Sequence, residues 1–210
     1  MAEGDAGARS KTRIGAANID KILDAALAAF ARDGLRGARI EEIAGAAEMS
    51  KTNLLYYFRT KEQLYSAVLT RTLDIWLRPL RDLDESLDPA TALTAYIDAK
   101  LDYSRRYPEA SRLFALEIIQ GAPVLGPVLQ GGLHALVEEK SELIRKWIAA
   151  GKLRPIDPLH LLFAVWATTQ HYADFASQIR SLSGRDLSDD AFFAETREAV
   201  TGILLRGMLA

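Results

Sequence analysis

The chain has 210 residues, 49% of them apolar, a formal net charge of −2 and no cysteine. This apolar content suffices for one or two packed domains, and the lack of cysteine excludes disulfides and thiolate chemistry while fitting a reducing cytoplasm, the expected location. No run of about 18 apolar residues occurs and the N-terminus has no continuous apolar segment, so neither a membrane span nor a signal peptide is expected.

Residues 1–17 are small, polar and Gly/Ala-rich, with no apolar period, and are expected to form a flexible tail. Its Arg9, Lys11 and Arg13 could lie along DNA, or the tail could be merely solvated. Asn18 can cap a first helix in which Ile19, Ile22, Leu23, Ala26, Leu27 and Phe30 recur at helical spacing, with Gly34 in a left-handed position after it. Residues 39–58 read as two short helices around a tight corner. Ile40, Ile43, Ala44 and Ala47 give the first an apolar face, and Glu48 and Met49 break the pattern. Ser50 offers a cap to a second helix, Lys51 to Phe58. Leu54 and Phe58 point inward there, leaving Lys51, Thr52, Asn53, Tyr56 and Tyr57 on the other sides.

Two readings of that corner stay open on these residues. Hydroxyls, an amide and a lysine suit a DNA groove, where they bond base edges and phosphates. The same pattern fits a helical hairpin whose polar residues face water.

Thr60 and Gln63 have capping-box spacing, and a long helix follows through Leu64, Tyr65, Val68, Leu69, Leu73, Trp76 and Leu77. Pro79 is expected to kink or end it near Arg78. Asp88-Pro89 opens a helix to about Arg106, and Tyr107-Pro108 starts the next, ending at Gly121. Residues 121–132 (GAPVLGPVLQGG) read as a loop or a broken helix start. A helix over 133–150 ends before Gly151, and Asp157-Pro158 opens one reaching about Ile179. Residues 183–187 form a loop, and Ser188 or Asp189 caps the last helix. No segment alternates with a period of two and no long repeat occurs. The chain is therefore expected to be all-α with about nine helices. A flexible tail (1–17), a helix-turn-helix head (18–63) and a helical ligand-binding and dimerisation domain (64–210) are expected.

Charge does not announce a nucleic-acid binder. Residues 1–65 hold ten Lys/Arg and nine Asp/Glu, and the rest sixteen and nineteen. Phosphate contacts must come from few residues, with Arg9, Lys11, Arg13, Arg39, Lys51 and Lys61 as candidates.

The stretch LHLLFAVWATTQHYADFA (residues 159–176) is apolar nearly all round until Thr168, which suggests a central helix or a subunit contact. Phe192, Phe193, Thr196, Val200, Ile203 and Leu204 add a stripe on the last helix. Gln170 lies four residues after Trp166, so both project from one face. A flat ring beside an amide suits a planar ligand with its own amide edge, and Trp76 offers a second flat surface. Core packing with a satisfied amide fits the same residues. His134, His160 and His171 have no metal-ligand spacing, no phosphate-loop lysine is present, and no nucleophile–base pair stands out. No enzyme activity, metal or cofactor is expected.

IEEIAGAAEMSKTNLLYYFRTKEQLYSAVL (residues 40–69) resembles the DNA-binding head of TetR-family regulators, with the aromatic pair Tyr57-Phe58 and then Lys61-Glu62-Gln63-Leu64. Two positions depart from that family. Ala38-Arg39 stands where a threonine is frequent, and Glu48 where the turn usually carries glycine, so a weak cap and a positive φ at Glu48 are expected. WLRPL (76–80), YSRRYPEASRLF (103–114), GKLRPIDPLHL (151–161) and WATTQHYADFA (166–176) resemble a subgroup that regulates pyrimidine utilisation in response to uracil and thymine. The resemblance implies a homodimer on a palindromic double-stranded DNA operator, contacted through Arg39, Lys51, Thr52, Asn53, Tyr56, Tyr57 and Lys61. It also implies release by uracil or thymine held by Trp76, Trp166 and Gln170. The alternatives are a regulator sensing an unrelated apolar or aromatic ligand and, further off, a helical interaction protein without a ligand or an enzyme.

Overall fold

The computed structural model describes the backbone of residues 3–206 and 209, and the side chains of residues 15–206 and 209. Among these the protein is all-α, with a single isolated bridge between Leu153 and Leu209 and no strand. The order is α1 (Glu3–Gly37), α2 (Ile40–Ala46), α3 (Lys51–Tyr57), α4 (Lys61–Arg81), α5 (Pro89–Arg106) and α6 (Pro108–Ile119). A three-residue α7 (Gly126–Val128) runs through a π turn (Leu129–Leu133) into α8 (His134–Ala149). Then come α9 (Pro158–Asp174), α10 (Ala176–Ser183) and α11 (Asp190–Arg206). The helices form two compact units, residues 1–72 and 73–210. The division falls within α4, where the sequence predicts a boundary at 63.

In the first unit, α1 already begins at Glu3, so the stretch expected as a flexible tail is helical from there. Its alanines and charged residues favour a helix without any apolar face. The side chains of Arg9, Lys11 and Arg13 lie outside the described residues. Asn18 consequently sits inside α1 and caps nothing; its Nδ2 donates to the Tyr57 hydroxyl at 3.0 Å instead. Gly34 interrupts α1 with φ 68 and ψ 174. The predicted positive φ is there, but the ψ is extended, a combination essentially reserved for glycine. Ile22, Ala26 and Phe30 of α1, Ile43 and Ala44 of α2, Leu54 of α3, and Leu64, Val68 and Leu69 of α4 are buried. Phe30 meets Tyr65 edge to face at 5.0 Å. The capping box opens α4 as predicted, with Gln63 N–H donating to Thr60 Oγ1 and Gln63 Oε1 accepting from Arg59 N–H, both at 3.1 Å.

In the second unit, Asp88 caps α5 by accepting from Thr91 N–H, and Asp157 caps α9 by accepting from Leu159 and His160 N–H. Pro89 and Pro158 follow these caps, where a missing N–H costs nothing. Pro79 does not end α4. One turn from the end its ring deletes a single hydrogen bond. Beyond it Asp82 N–H still reaches Arg78 O at 3.0 Å, and Leu80 is fully buried.

The helix predicted from 158 to about 179 is two helices. Phe175 (φ −111, ψ 32) stops α9 and starts α10, its ring stacked on His171 at 4.9 Å. α9 packs against α5 and α6, and α11 against α5 and α9. Leu93, Ile97, Leu101, Ile144, Leu161, Leu162, Val165 and Val200 form the centre of the core. α9 is not buried on all sides in the single chain: Leu159 is 41% and Phe163 47% exposed, and Ile203 of the α11 stripe is 70% exposed.

Candidate functional site

The exposed face of α3 is set by what its back does. Leu54 is fully buried, and Ser50 Oγ accepts from Asn53 N–H at 3.1 Å, so the short helix is pinned at both side and start. Lys51, Thr52, Asn53 and Tyr56 are left outward. Tyr56 is 82% exposed, an unusual position for so much aromatic surface. Lys51 Nζ pairs with Glu41 at 2.7 Å, and this hydrogen bond holds the Glu41 carboxyl below its ordinary pKa. Both partners are more than half exposed, so the pair adds little stability and exchanges readily for a phosphate.

The other predicted DNA contacts are braced. The half-buried Tyr57 hydroxyl accepts from Asn18, which leaves its own proton to donate. Lys61 Nζ donates to Arg36 O at 3.2 Å and Ala38 O at 3.1 Å. An ammonium has three donors, so one remains. Arg39 is exposed at the start of α2, its guanidinium 3.9 Å from Glu42, and makes no side-chain cap, as expected at that position. Glu48 forms the corner with φ 59, the positive value predicted for it.

A cavity of about 500 Å³ lies in the second unit between α4, α5, α6, α9 and the π turn. Trp76, Trp166 and Gln170 all line it, so residues far apart in sequence meet there. The Trp166 indole N–H donates to Tyr96 Oη at 2.6 Å, which fixes the ring. Burial raises the Tyr96 hydroxyl pKa, and the Trp166 bond opposes that rise. Trp76 is buried with its centroid 5.9 Å from that of Phe114, and its N–H has no acceptor among the described residues. Gln170 is half-buried, and its amide forms no hydrogen bond among the described residues. Leu73, Leu77, Ile118 and Leu129 make most of the remaining wall apolar.

Two charged groups also line this cavity. Lys100 is 4% exposed, with Nζ 4.3 Å from the centre of the Trp76 ring. Burial lowers its pKa to about 7, and the charge of Asp174 works against that. Burial raises Asp174, opposed by a short hydrogen bond from Ser111 Oγ and by the charge of Lys100. Sequence reasoning missed Lys100. The available signal was its place on the apolar seam of α5 with Leu93, Tyr96, Ile97 and Leu101, where a lysine has no ordinary reason to be.

Residues 22–68 match the family described as bacterial regulatory proteins, tetR family, and residues 69–210 match the YcdC-like protein C-terminal region. Over 198 residues the chain is 51% identical to the HTH-type transcriptional regulator RutR of Escherichia coli (strain K12), covering 94% of this chain and 93% of that one. The chain belongs to the TetR family of bacterial regulators. It is therefore a DNA-binding transcriptional regulator, and its relatives are regulators rather than enzymes. The HTH-type transcriptional repressor NicS of Pseudomonas putida is 28% identical over 195 residues, 90% of this chain and 91% of that one. The putative transcriptional regulator SCO4942 from Streptomyces coelicolor superposes with a TM-score of 0.69 at 25% identity, covering 90% of this chain and 97% of that one. AibR in complex with isovaleryl coenzyme A and operator DNA shares the fold, with a TM-score of 0.64 at 18% identity over 89% and 97% of the two chains. Among the described residues no helix is long and apolar enough to cross a membrane.

Proposed function

We propose that the protein is a homodimeric repressor that leaves a palindromic operator when uracil or thymine fills the cavity of its second unit. One observation carries the ligand reading: Trp76, Trp166 and an unsatisfied Gln170 converge on one largely apolar cavity. Its volume of about 500 Å³ is within the range of small-molecule sites. A pyrimidinedione is flat, so it can lie against the indoles. Its edge alternates C=O and N–H, as the amide of Gln170 does.

On DNA, Thr52, Asn53 and Tyr56 face base edges and the groove wall. Lys51 and Arg39 meet phosphates, and Tyr57 and Lys61 do so with the one donor each has spare. The exposed apolar residues Leu159, Phe163 and Ile203 are the expected dimer contact. Two-fold symmetry then places two α3 helices about 34–36 Å apart, one turn of DNA. α4 carries both Lys61 and Trp76, so operator and effector act on one helix and must weaken each other reciprocally.

The test is calorimetric titration with uracil of the parent protein and of Gln170→Ala, followed by operator binding with and without saturating uracil. Saturable heat lost in the variant, with operator release, supports the proposal. Unchanged operator affinity in saturating uracil would sink the coupling. A second reading, a larger apolar or aromatic effector, is favoured by the apolar walls and by a volume beyond one ring. It predicts no heat with uracil or thymine and intact operator binding.

A further inference from the structure

Lys100 is the feature that the fold itself does not explain. It is 4% exposed and makes no hydrogen bond or ion pair among the described residues, and its Nζ lies 4.3 Å from the centre of the Trp76 ring. A buried charge without a close partner is costly, and a cation–π contact recovers only a part of that cost. The charged and titratable groups around it are few. Asp174 and His171 of α9 line the same cavity, and Arg112 of α6 acts on Asp174. Asp174 is held by Ser111.

Resting on the reading of this cavity as the effector site, we propose that Lys100 is a specificity-determining residue that donates a hydrogen bond to a carbonyl oxygen of the bound ring, while Gln170 pairs with the amide edge beside it. The tally of unmet groups supports a cyclic imide or amide as the ligand class. Lys100 needs an acceptor, which a ring carbonyl supplies. Gln170 Oε1 accepts from a ring N–H group. An aromatic hydrocarbon would leave Lys100 and Gln170 without a hydrogen-bond partner, and such a mismatch discriminates strongly.

A proton linkage follows. In the empty cavity Lys100 titrates near pH 7, and a carbonyl oxygen favours its charged form. Binding therefore takes up a proton at pH values above about 7, and affinity falls as pH rises there, by at most roughly tenfold per unit.

The experiment is titration with uracil at pH 6.5 and 8.5 of the parent protein and Lys100→Met. Each titration is repeated in buffers of different ionisation enthalpy to count protons. The parent is expected to bind more weakly at pH 8.5 and to take up protons. K100M is expected to bind roughly tenfold or more weakly at pH 6.5, with neither pH dependence nor proton uptake, and to melt no earlier than the parent. Undiminished affinity in K100M, while Gln170→Ala is impaired, overturns the role of Lys100 and leaves the effector site standing. A parent that binds neither uracil nor thymine overturns both. Should K100M fail to fold, 2-thiouracil and 4-thiouracil decide the matter on the parent, because sulfur accepts poorly. A thio analogue that binds more weakly and without proton uptake supports the contact, and proton uptake retained with both overturns it.

Discussion

The head and the cavity of the second unit treat their polar side chains in opposite ways. In the first, Ser50, Thr60 and Gln63 close the starts of α3 and α4, while Tyr57 and Lys61 bond to α1 and to the link after it. In the second, Lys100 and Gln170 line a cavity and make no hydrogen bond among the described residues. Satisfied groups fix a shape that must be presented to DNA unchanged. Unsatisfied groups store a demand that a ligand meets, at some cost to the empty protein.

The largest test of this contrast removes the anchor of the rigid unit. Leu54→Ala deletes a fully buried side chain and should cost about 2–5 kcal/mol. Operator binding should vanish, while uracil binding to the second unit persists. Loss of both would show that the units do not behave separately.

Next comes the cost stored in the second unit. Lys100 binds a proton less readily in the fold than in the unfolded chain, whose value is 10.5. The unfolded state thus holds more protons between about pH 7 and 10.5, and stability rises with pH in that window. K100M should abolish this slope and be more stable at pH 7 by a few kcal/mol at most, as thermal melts across pH would show. A parallel slope in both proteins would mean that Lys100 is not the source.

Smaller effects belong to the outward face of α3. Tyr56→Ala and Lys51→Ala should leave the melting temperature almost unchanged, because among the described residues neither has a structural partner beyond the exposed Glu41 pair and the contact of Tyr56 with Tyr57. Each should weaken operator binding by about 1–3 kcal/mol, and Lys51→Ala should reduce the salt slope by about one. Fluorescence anisotropy over a salt series measures both. Unaltered affinity in both variants would leave α3 as an ordinary packing helix.

What was legible in the sequence follows the range of the interaction. Ser50, Thr60 with Gln63, Asp88-Pro89, Asp157-Pro158 and Gly151 act within a turn of themselves, and all mark helix ends as read. The Trp76, Trp166 and Gln170 set was legible through resemblance and through the face shared by Trp166 and Gln170. The break at Phe175 was not, because it involves a ring stack on His171 and an adjoining cavity rather than a helix-breaking residue. Continuation past Pro79 likewise goes with the burial of Leu80. Lys100 was missed because nothing local distinguishes it from a surface lysine; only its seam does.

The smallest expected effect lies at the corner between α2 and α3, where Glu48 holds φ 59. A non-glycine residue pays roughly 1–2 kcal/mol there. Glycine would remove that strain but would lose about 0.5–1 kcal/mol through the greater freedom of the unfolded chain. The variant also loses the Lys21–Glu48 ion pair at 3.1 Å, whose side chains are 58% and 80% exposed, so screening leaves it with little to contribute. Strain is the larger of these terms, so Glu48→Gly should raise the melting temperature of the head by roughly one or two degrees. A clear fall would mean that Lys21, reaching from α1 to the corner, contributes more than the backbone strain costs. The rigidity of the head would then depend on a surface charge as well as on its buried residues and caps.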